Sequence, residues 1–138
     1  MIYDIVLKNE NSEEFNLSDL KGKWVVIYFY PKDDTPGCTL EAKEFSSKYS
    51  DFKKENCEVI GVSKDTCEAH LKFKIKYNLG IILLSDRDGV LHNRLKVNSR
   101  STFIFNPEGE LVREWRGVNP FGHAEQVLME LRRLKNKI

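Results

Sequence analysis

The sequence predicts an α/β protein: a mixed β-sheet in the middle of three layers, with helices on both sheet faces and a β-hairpin at the N-terminus. Three observations predict it. The run Trp24-Val25-Val26-Ile27-Tyr28-Phe29-Tyr30 is apolar throughout and rich in β-formers, so it has no polar face to give to water. Such a strand is buried on both sides, as in a sheet covered by helices. Strand-like and helix-like segments then alternate along the chain, which gives crossover connections and a parallel portion of sheet. Finally, 41% of the 138 residues are hydrophobic and 31% are charged, a globular balance that excludes a disordered or collagen-like chain.

The elements follow in order. Asp4 to Leu20 mixes short apolar pieces with Asn, Glu and Ser and reads as a β-hairpin plus a turn of helix. Lys21-Gly22-Lys23 is a break, and Pro31 ends the apolar strand that follows it. Thr35-Pro36 reads as a helix start, with Thr at the N-cap and Pro at the first helical position. Cys38, Ala42, Phe45, Tyr49 and Phe52 recur at helical spacing, which predicts one helix running to about Glu55. Cys57 to Val62 is the next strand, with Cys57 half-buried in it. Asp65-Thr66-Cys67-Glu68 has capping-box spacing and opens a helix to about Asn78, with Asp65 as its cap and Cys67 at its second position. Ile81 to Leu84 is a strand, and Val90 to Leu95 a short helix. Ser101–Phe105 and Leu111–Trp115 flank the turn Asn106-Pro107-Glu108-Gly109 and form an antiparallel edge. Ala124, Val127, Leu128, Leu131 and Leu134 mark a closing amphipathic helix. The order is that of a thioredoxin-like fold, a single domain over residues 1–138.

Charge narrows the function. Lys plus Arg number 22 and Asp plus Glu 21, a net charge of +1, so nothing biases the chain toward nucleic acid or a membrane surface. The longest apolar run, seven residues, is far short of a membrane span. The first residues, Met1-Ile2-Tyr3-Asp4, carry no basic patch and apolar stretch, so no signal peptide is expected and the expected location is cytoplasmic. The three cysteines Cys38, Cys57 and Cys67 are an odd number with no C-x-x-C pair, which argues against a disulfide framework, a dithiol motif or a zinc knuckle.

Cys38 stands in the first turn of its helix, at the C-terminal end of the central strand, where α/β active sites gather. It has two readings: a small core residue beginning the apolar stripe, or a reactive thiolate. A helix N-terminus contributes only ~0.3–1 kcal/mol to a thiolate. Lowering a thiol pKa from ~8.5 to ~6 takes about 3.4 kcal/mol. A reactive Cys38 therefore needs a cation beside it. The strand Ser101–Phe105 should run antiparallel to the central strand, which brings Arg100 to the mouth of Cys38; taken alone, Arg100 reads as a solvated loop cation. Arg87, Arg94, Arg113 and Arg116 have no such topological reason to be there. Two rival readings use other residues: a Cys–His hydrolase with His70, His92 or His123 as base, and a metal or redox-sensing module of Cys57, Cys67 and His70, whose spacing fits no tight metal template.

Pro31-Lys32-Asp33-Asp34-Thr35-Pro36-Gly37-Cys38-Thr39-Leu40-Glu41 resembles the P-x-x-x-T-x-x-C motif of peroxiredoxins, in the Thr-Pro-Gly-Cys-Thr form of the bacterioferritin comigratory protein, or peroxiredoxin Q, branch. Leu17-Ser18-Asp19-Leu20-Lys21-Gly22-Lys23, Val59-Ile60-Gly61-Val62-Ser63, Leu83-Leu84-Ser85-Asp86 and Arg100-Ser101-Thr102-Phe103-Ile104 fall in the same family order, so the likeness covers nearly the whole chain. The resemblance implies reduction of hydrogen peroxide and alkyl hydroperoxides at the expense of thioredoxin or a similar dithiol, with no metal, flavin or haem cofactor, and a monomer. It implies Cys38 as the peroxidatic cysteine, passing through a sulfenic acid. It further implies Arg100 supporting the thiolate and the developing charge, Thr35 placing its hydroxyl on the substrate, and Pro31 shielding the sulfur. Pro31 also reads as a strand terminator and Thr35 as a plain N-cap. Glu41 is expected to brace the loop or Arg100, or to be a solvated helix carboxylate. Members of this branch carry a resolving cysteine where Lys43 or Lys74 stands here. Cys67 is then the expected resolving cysteine, on the same sheet edge as Cys38, the alternative being a one-cysteine enzyme reduced directly by an external thiol.

Overall fold

The computed structural model describes residues 1–136; positions 137 and 138 of the expected domain lie outside the described residues. Seven strands form one sheet: β1 (Val6–Asn9), β2 (Glu14–Asn16), β3 (Trp24–Phe29), β4 (Cys57–Ser63), β5 (Ile82–Ser85), β6 (Ser101–Phe105) and β7 (Leu111–Arg116). Their spatial order is β2-β1-β5-β4-β3-β6-β7. The β3–β4 and β4–β5 pairs are parallel, and the β1–β2, β1–β5, β3–β6 and β6–β7 pairs are antiparallel. The sheet is thus mixed, with the N-terminal hairpin on one edge and the β6–β7 hairpin on the other. The helices are α1 (Pro36–Ser47), α2 (Tyr49–Lys54), α3 (Cys67–Tyr77), α4 (Val90–Arg94) and α5 (His123–Lys135), with a 3-10 turn at Leu17–Leu20.

Strand periodicity divides β3 between two cores. Val26, Tyr28 and Tyr30 face the side covered by α1, α2, α3 and α5, where Cys38, Phe45, Phe52, Phe73 and Leu128 are buried. Val25, Ile27 and Phe29 face the side covered by α4, the 3-10 turn and the N-terminal residues Ile2 and Ile5. Both faces of the central strand are dry, as its composition requires. Phe45 stacks on Tyr28 with ring centroids 4.5 Å apart, which fixes α1 over β3. Among the described residues no helix is long and apolar enough to cross a membrane.

Three local expectations are corrected. The helix expected over 36–55 is broken at Lys48, whose backbone N–H is shared among the carbonyls of Glu44, Phe45 and Ser46. The Ser47 hydroxyl also donates to the Glu44 carbonyl at 2.8 Å. Serine competing for backbone acceptors ends α1, and the chain restarts as α2. The cap of α3 is Thr66 rather than Asp65: Thr66 Oγ1 accepts the Ala69 N–H at 3.0 Å, which makes Cys67 the first helical residue. Asp65 turns away to take the Ser63 hydroxyl at 2.6 Å. Cys57 is fully buried rather than half-buried. Its thiol donates to the Glu58 carbonyl at 3.5 Å, and burial pushes its pKa well up, away from the reactive thiolate.

Candidate active site at the first turn of α1

Cys38 is the third residue of α1, in the turn whose N–H groups have no intrahelical partner. It is 1% exposed and belongs to the apolar core beside Ala42 and Tyr28. The antiparallel register Phe29↔Ser101 sets the start of β6 at the end of β3, and Arg100 stands immediately before it. Arg100 Nη2 donates to the Cys38 sulfur at 3.4 Å, and Nη1 donates to Glu41 Oε1 at 2.7 Å. One guanidinium therefore serves two groups from two different nitrogens, in the fixed geometry of its planar fork. Three of the other arginines weighed above are engaged elsewhere: Arg94 pairs with Asp4, Arg113 with Glu130, and Arg116 with Glu114, while Arg87 lies in a hollow beside Cys67.

Glu41 is fully buried, which decides between the two expectations for it: it braces Arg100 and is not a solvated carboxylate. Burial pushes its pKa from 4.5 up to about 7, against the pull of the Arg100 charge and hydrogen bond. Its second oxygen, Oε2, is buried with no hydrogen-bond partner, and so is the Tyr28 hydroxyl. Burial opposes the Arg100 charge, but Glu41 and Cys38 more than offset it and hold the Arg100 pKa above its ordinary value.

Thr35 occupies the N-cap position with extended backbone but does not cap the helix with its side chain. Its hydroxyl donates to the Lys32 carbonyl at 2.8 Å. With its hydrogen committed, Oγ1 has lone pairs left to accept an O–H from a ligand. Pro31 is exposed and lies with Phe29, Lys64, His92, Val97 and Arg100 around a pocket of about 260 Å³. Cys67 is partly exposed and lines a different hollow, with Leu7, Ser85, Asp86 and Arg87 on the β1–β5 side. All three cysteines are free thiols.

Two features escaped the sequence reading. Gly37 is one: a Cβ built there would meet Arg100 Nη2 at 3.2 Å and Pro120 Cγ at 3.6 Å, so a side chain would crowd the guanidinium. Its place between Pro36 and Cys38 was the available signal. The second is a cluster of Asp33, Asp65 and His70, two of them buried and Asp65 partly so, whose ligand-type atoms lie within 4.8 Å of one another. These atoms are spent on each other and on neighbours: His70 Nδ1 meets Asp33 Oδ2 at 2.6 Å, and Asp65 Oδ2 accepts the Asp33 backbone N–H at 2.9 Å. The hydrolase and metal-module readings find no matching arrangement among the described residues. His70 bonds Asp33, His92 bonds Asp86 at 2.6 Å, and His123 bonds Thr102 at 2.8 Å.

The arrangement provides a buried sulfur, a cation bonded to it and an adjacent hydroxyl acceptor, which is what nucleophilic thiolate chemistry needs. Known proteins share this frame. The profile of the AhpC/TSA family matches residues 1–114. Peroxiredoxin Bcp of Bacillus subtilis (strain 168) is 42% identical, over 97% of this chain and 94% of that protein. The chloroplastic peroxiredoxin Q of Sedum lineare is 37% identical, over 94% of this chain and 74% of that protein. A solved structure of the Xanthomonas campestris bacterioferritin comigratory protein, from work on its alkyl peroxide reduction activity, superposes with a TM-score of 0.94 at 35% identity, covering 96% of this chain and 93% of that one.

Proposed function

The chain belongs to the AhpC/TSA family, among its Bcp and peroxiredoxin Q members, and is a thiol-dependent peroxidase; we propose that Cys38 is the sulfur that attacks the peroxide. The observation that carries the assignment is the 3.4 Å contact between Arg100 Nη2 and Cys38 Sγ. The thiolate attacks the terminal oxygen of hydrogen peroxide or an alkyl hydroperoxide. An S–O bond forms, the O–O bond breaks, and the leaving hydroxide or alkoxide takes a proton to depart as water or alcohol. Arg100 stabilises the thiolate in the ground state and the charge spreading onto the peroxide oxygens in the transition state. Thr35 Oγ1, its own hydrogen held by Lys32, accepts the O–H of the attacked oxygen. Pro31 shares a pocket with Arg100, which supports a shielding role, and Glu41 fixes the guanidinium.

Cys67 condenses with the Cys38 sulfenic acid, releasing water and leaving a disulfide that thioredoxin or a similar dithiol reduces. Its support is its place at the first position of α3, at the end of the strand beside β3, with a partly exposed thiol. A disulfide needs Cα atoms within about 7 Å, so the first turn of α1 has to unwind. A second reading, direct reduction of the sulfenic acid by an external thiol, is favoured by the separate hollow that Cys67 occupies. The enzyme works as a monomer in the cytoplasm, a reducing compartment that suits an odd number of free cysteines.

The test is peroxide consumption with dithiothreitol as reductant. Cys38→Ser is expected to abolish turnover with the fold retained, and near-normal turnover in that variant overturns the assignment. Cys67→Ser with thioredoxin as reductant separates the two resolution routes: full turnover there establishes the one-cysteine route.

A further inference from the structure

The loop that delivers Cys38 is fastened to α3 by two successive aspartates. Asp33 is 8% exposed and uses three of its polar groups. Its Oδ1 accepts the Tyr30 hydroxyl at 2.6 Å, its Oδ2 meets His70 Nδ1 at 2.6 Å, and its backbone N–H donates to Asp65 Oδ2 at 2.9 Å. His70 lies in the first turn of α3 and is fully buried. Its Nε2 faces the Leu84 carbonyl at 3.0 Å; a carbonyl only accepts, so Nε2 carries a hydrogen. Nδ1 faces a carboxylate oxygen at hydrogen-bond distance, so one proton sits between ring and carboxylate. Asp34 is held in the left-handed region at φ 60, and its carboxylate takes Lys76 Nζ at 2.8 Å and the Tyr77 hydroxyl at 2.6 Å, in the last turn of α3. The segment between Pro31 and Thr35 is therefore strapped along the length of α3, while none of these hydrogen bonds includes Cys38 or Arg100.

We propose that Asp33 and His70 are positioning residues for the peroxidase reaction: their buried hydrogen bond holds the loop that keeps Cys38 beneath Arg100, and its opening releases oxidised Cys38 to meet the next thiol. The inference rests on Cys38 being the peroxidatic residue. Geometry supports it in both directions. While the pair is closed, the start of α1 cannot shift, because Asp33 is anchored through its side chain and its backbone together. Opening takes Asp33 out as a unit, leaving His70 Nδ1 and Asp65 Oδ2 to water, a discrete second arrangement rather than gradual loosening. Asp65 is shared with the Ser63 hydroxyl and precedes Thr66 and Cys67, so the same opening loosens the neighbourhood of the proposed resolving thiol.

Two measurements test it. In the reduced full-length protein, proton NMR should show a low-field ring N–H resonance, assigned to His70 by its absence in His70→Gln. It should vanish when Cys38 is converted to a mixed disulfide with glutathione, and its persistence unchanged overturns the proposal. In rapid-mixing kinetics with hydrogen peroxide, His70→Gln should slow Cys38 oxidation about tenfold or more. The same variant should lower the share of sulfenic acid that proceeds to sulfinic acid, because the loop opens sooner for resolution. Asp33→Asn keeps the shape and the Tyr30 hydrogen bond and should fall between it and the wild type. A residue with only a structural role lowers stability without moving that partition. Wild-type rate and partition in both variants overturn the proposal; where a variant fails to fold, the wild-type NMR comparison decides. A wild type in which peroxide never oxidises Cys38 contradicts the peroxidase assignment instead.

Discussion

Arg100 Nη2 donates to Cys38 Sγ at 3.4 Å, across 62 residues of chain, because β6 runs antiparallel to β3 and begins where β3 ends. The contact sets a full positive charge against the sulfur, where the helix N-terminus offers only a dipole worth ~0.3–1 kcal/mol.

Removing that cation should slow Cys38 oxidation by on the order of 10²–10³-fold, the usual cost of a lost transition-state donor. Arg100→Ala also removes the Arg100–Glu41 hydrogen bond in the core, so stability should fall by about 1–3 kcal/mol, with Glu41 left protonated. Arg100→Lys should recover part of the rate, because a single nitrogen restores the charge but not the spread of Nη1 and Nη2 over Glu41 and Cys38. The check is stopped-flow oxidation by hydrogen peroxide; a wild-type rate in Arg100→Ala assigns the work to another group.

Gly37→Ala separates reactivity from stability. The added methyl approaches Arg100 Nη2 to 3.2 Å and displaces the guanidinium by a few tenths of an ångström. Alanine in place of a helical glycine favours folding by roughly 0.5–1 kcal/mol. The variant should melt no lower than the wild type, yet oxidise several-fold more slowly. A thermal melt and a stopped-flow trace decide it, and a wild-type oxidation rate counts against the Arg100 geometry.

Glu41 makes stability pH-dependent. Its pKa rises from 4.5 to about 7 on folding, so the folded state favours the protonated form. That contribution is fully present below about pH 4.5 and is lost as pH rises through 7. The difference corresponds to roughly 3 kcal/mol. In Glu41→Gln this loss is absent, so the ratio of variant to wild-type stability should grow between pH 4.5 and pH 7 and level off above it. Urea unfolding at a series of pH values measures it; parallel curves for the two proteins would contradict the burial argument.

The sheet, its mixed pairing and the approach of Arg100 to Cys38 were legible because they follow from period and direction: an apolar strand is central, and an antiparallel neighbour returns its start to that strand's end. The state of Glu41 was half legible. It stands three residues after Cys38 on the same helix face, but charge alone suggested solvent as readily as burial. His70 was visible only as a candidate base or metal ligand, since nothing local links it to Asp33, 37 residues earlier. The break at Lys48 and the cap at Thr66 turned on single hydroxyl hydrogen bonds, made by Ser47 and Thr66, that compete closely with the alternatives.

Peptide mapping by mass spectrometry after one equivalent of hydrogen peroxide, with the sulfenic acid trapped by dimedone, tests the central claim most directly. The expected result is a single adduct on Cys38 in the Cys67→Ser protein and, in the wild type, a Cys38 peptide carrying either the adduct or a disulfide to Cys67, with Cys57 untouched. First oxidation at Cys57 or Cys67 while Cys38 remains a free thiol would contradict it.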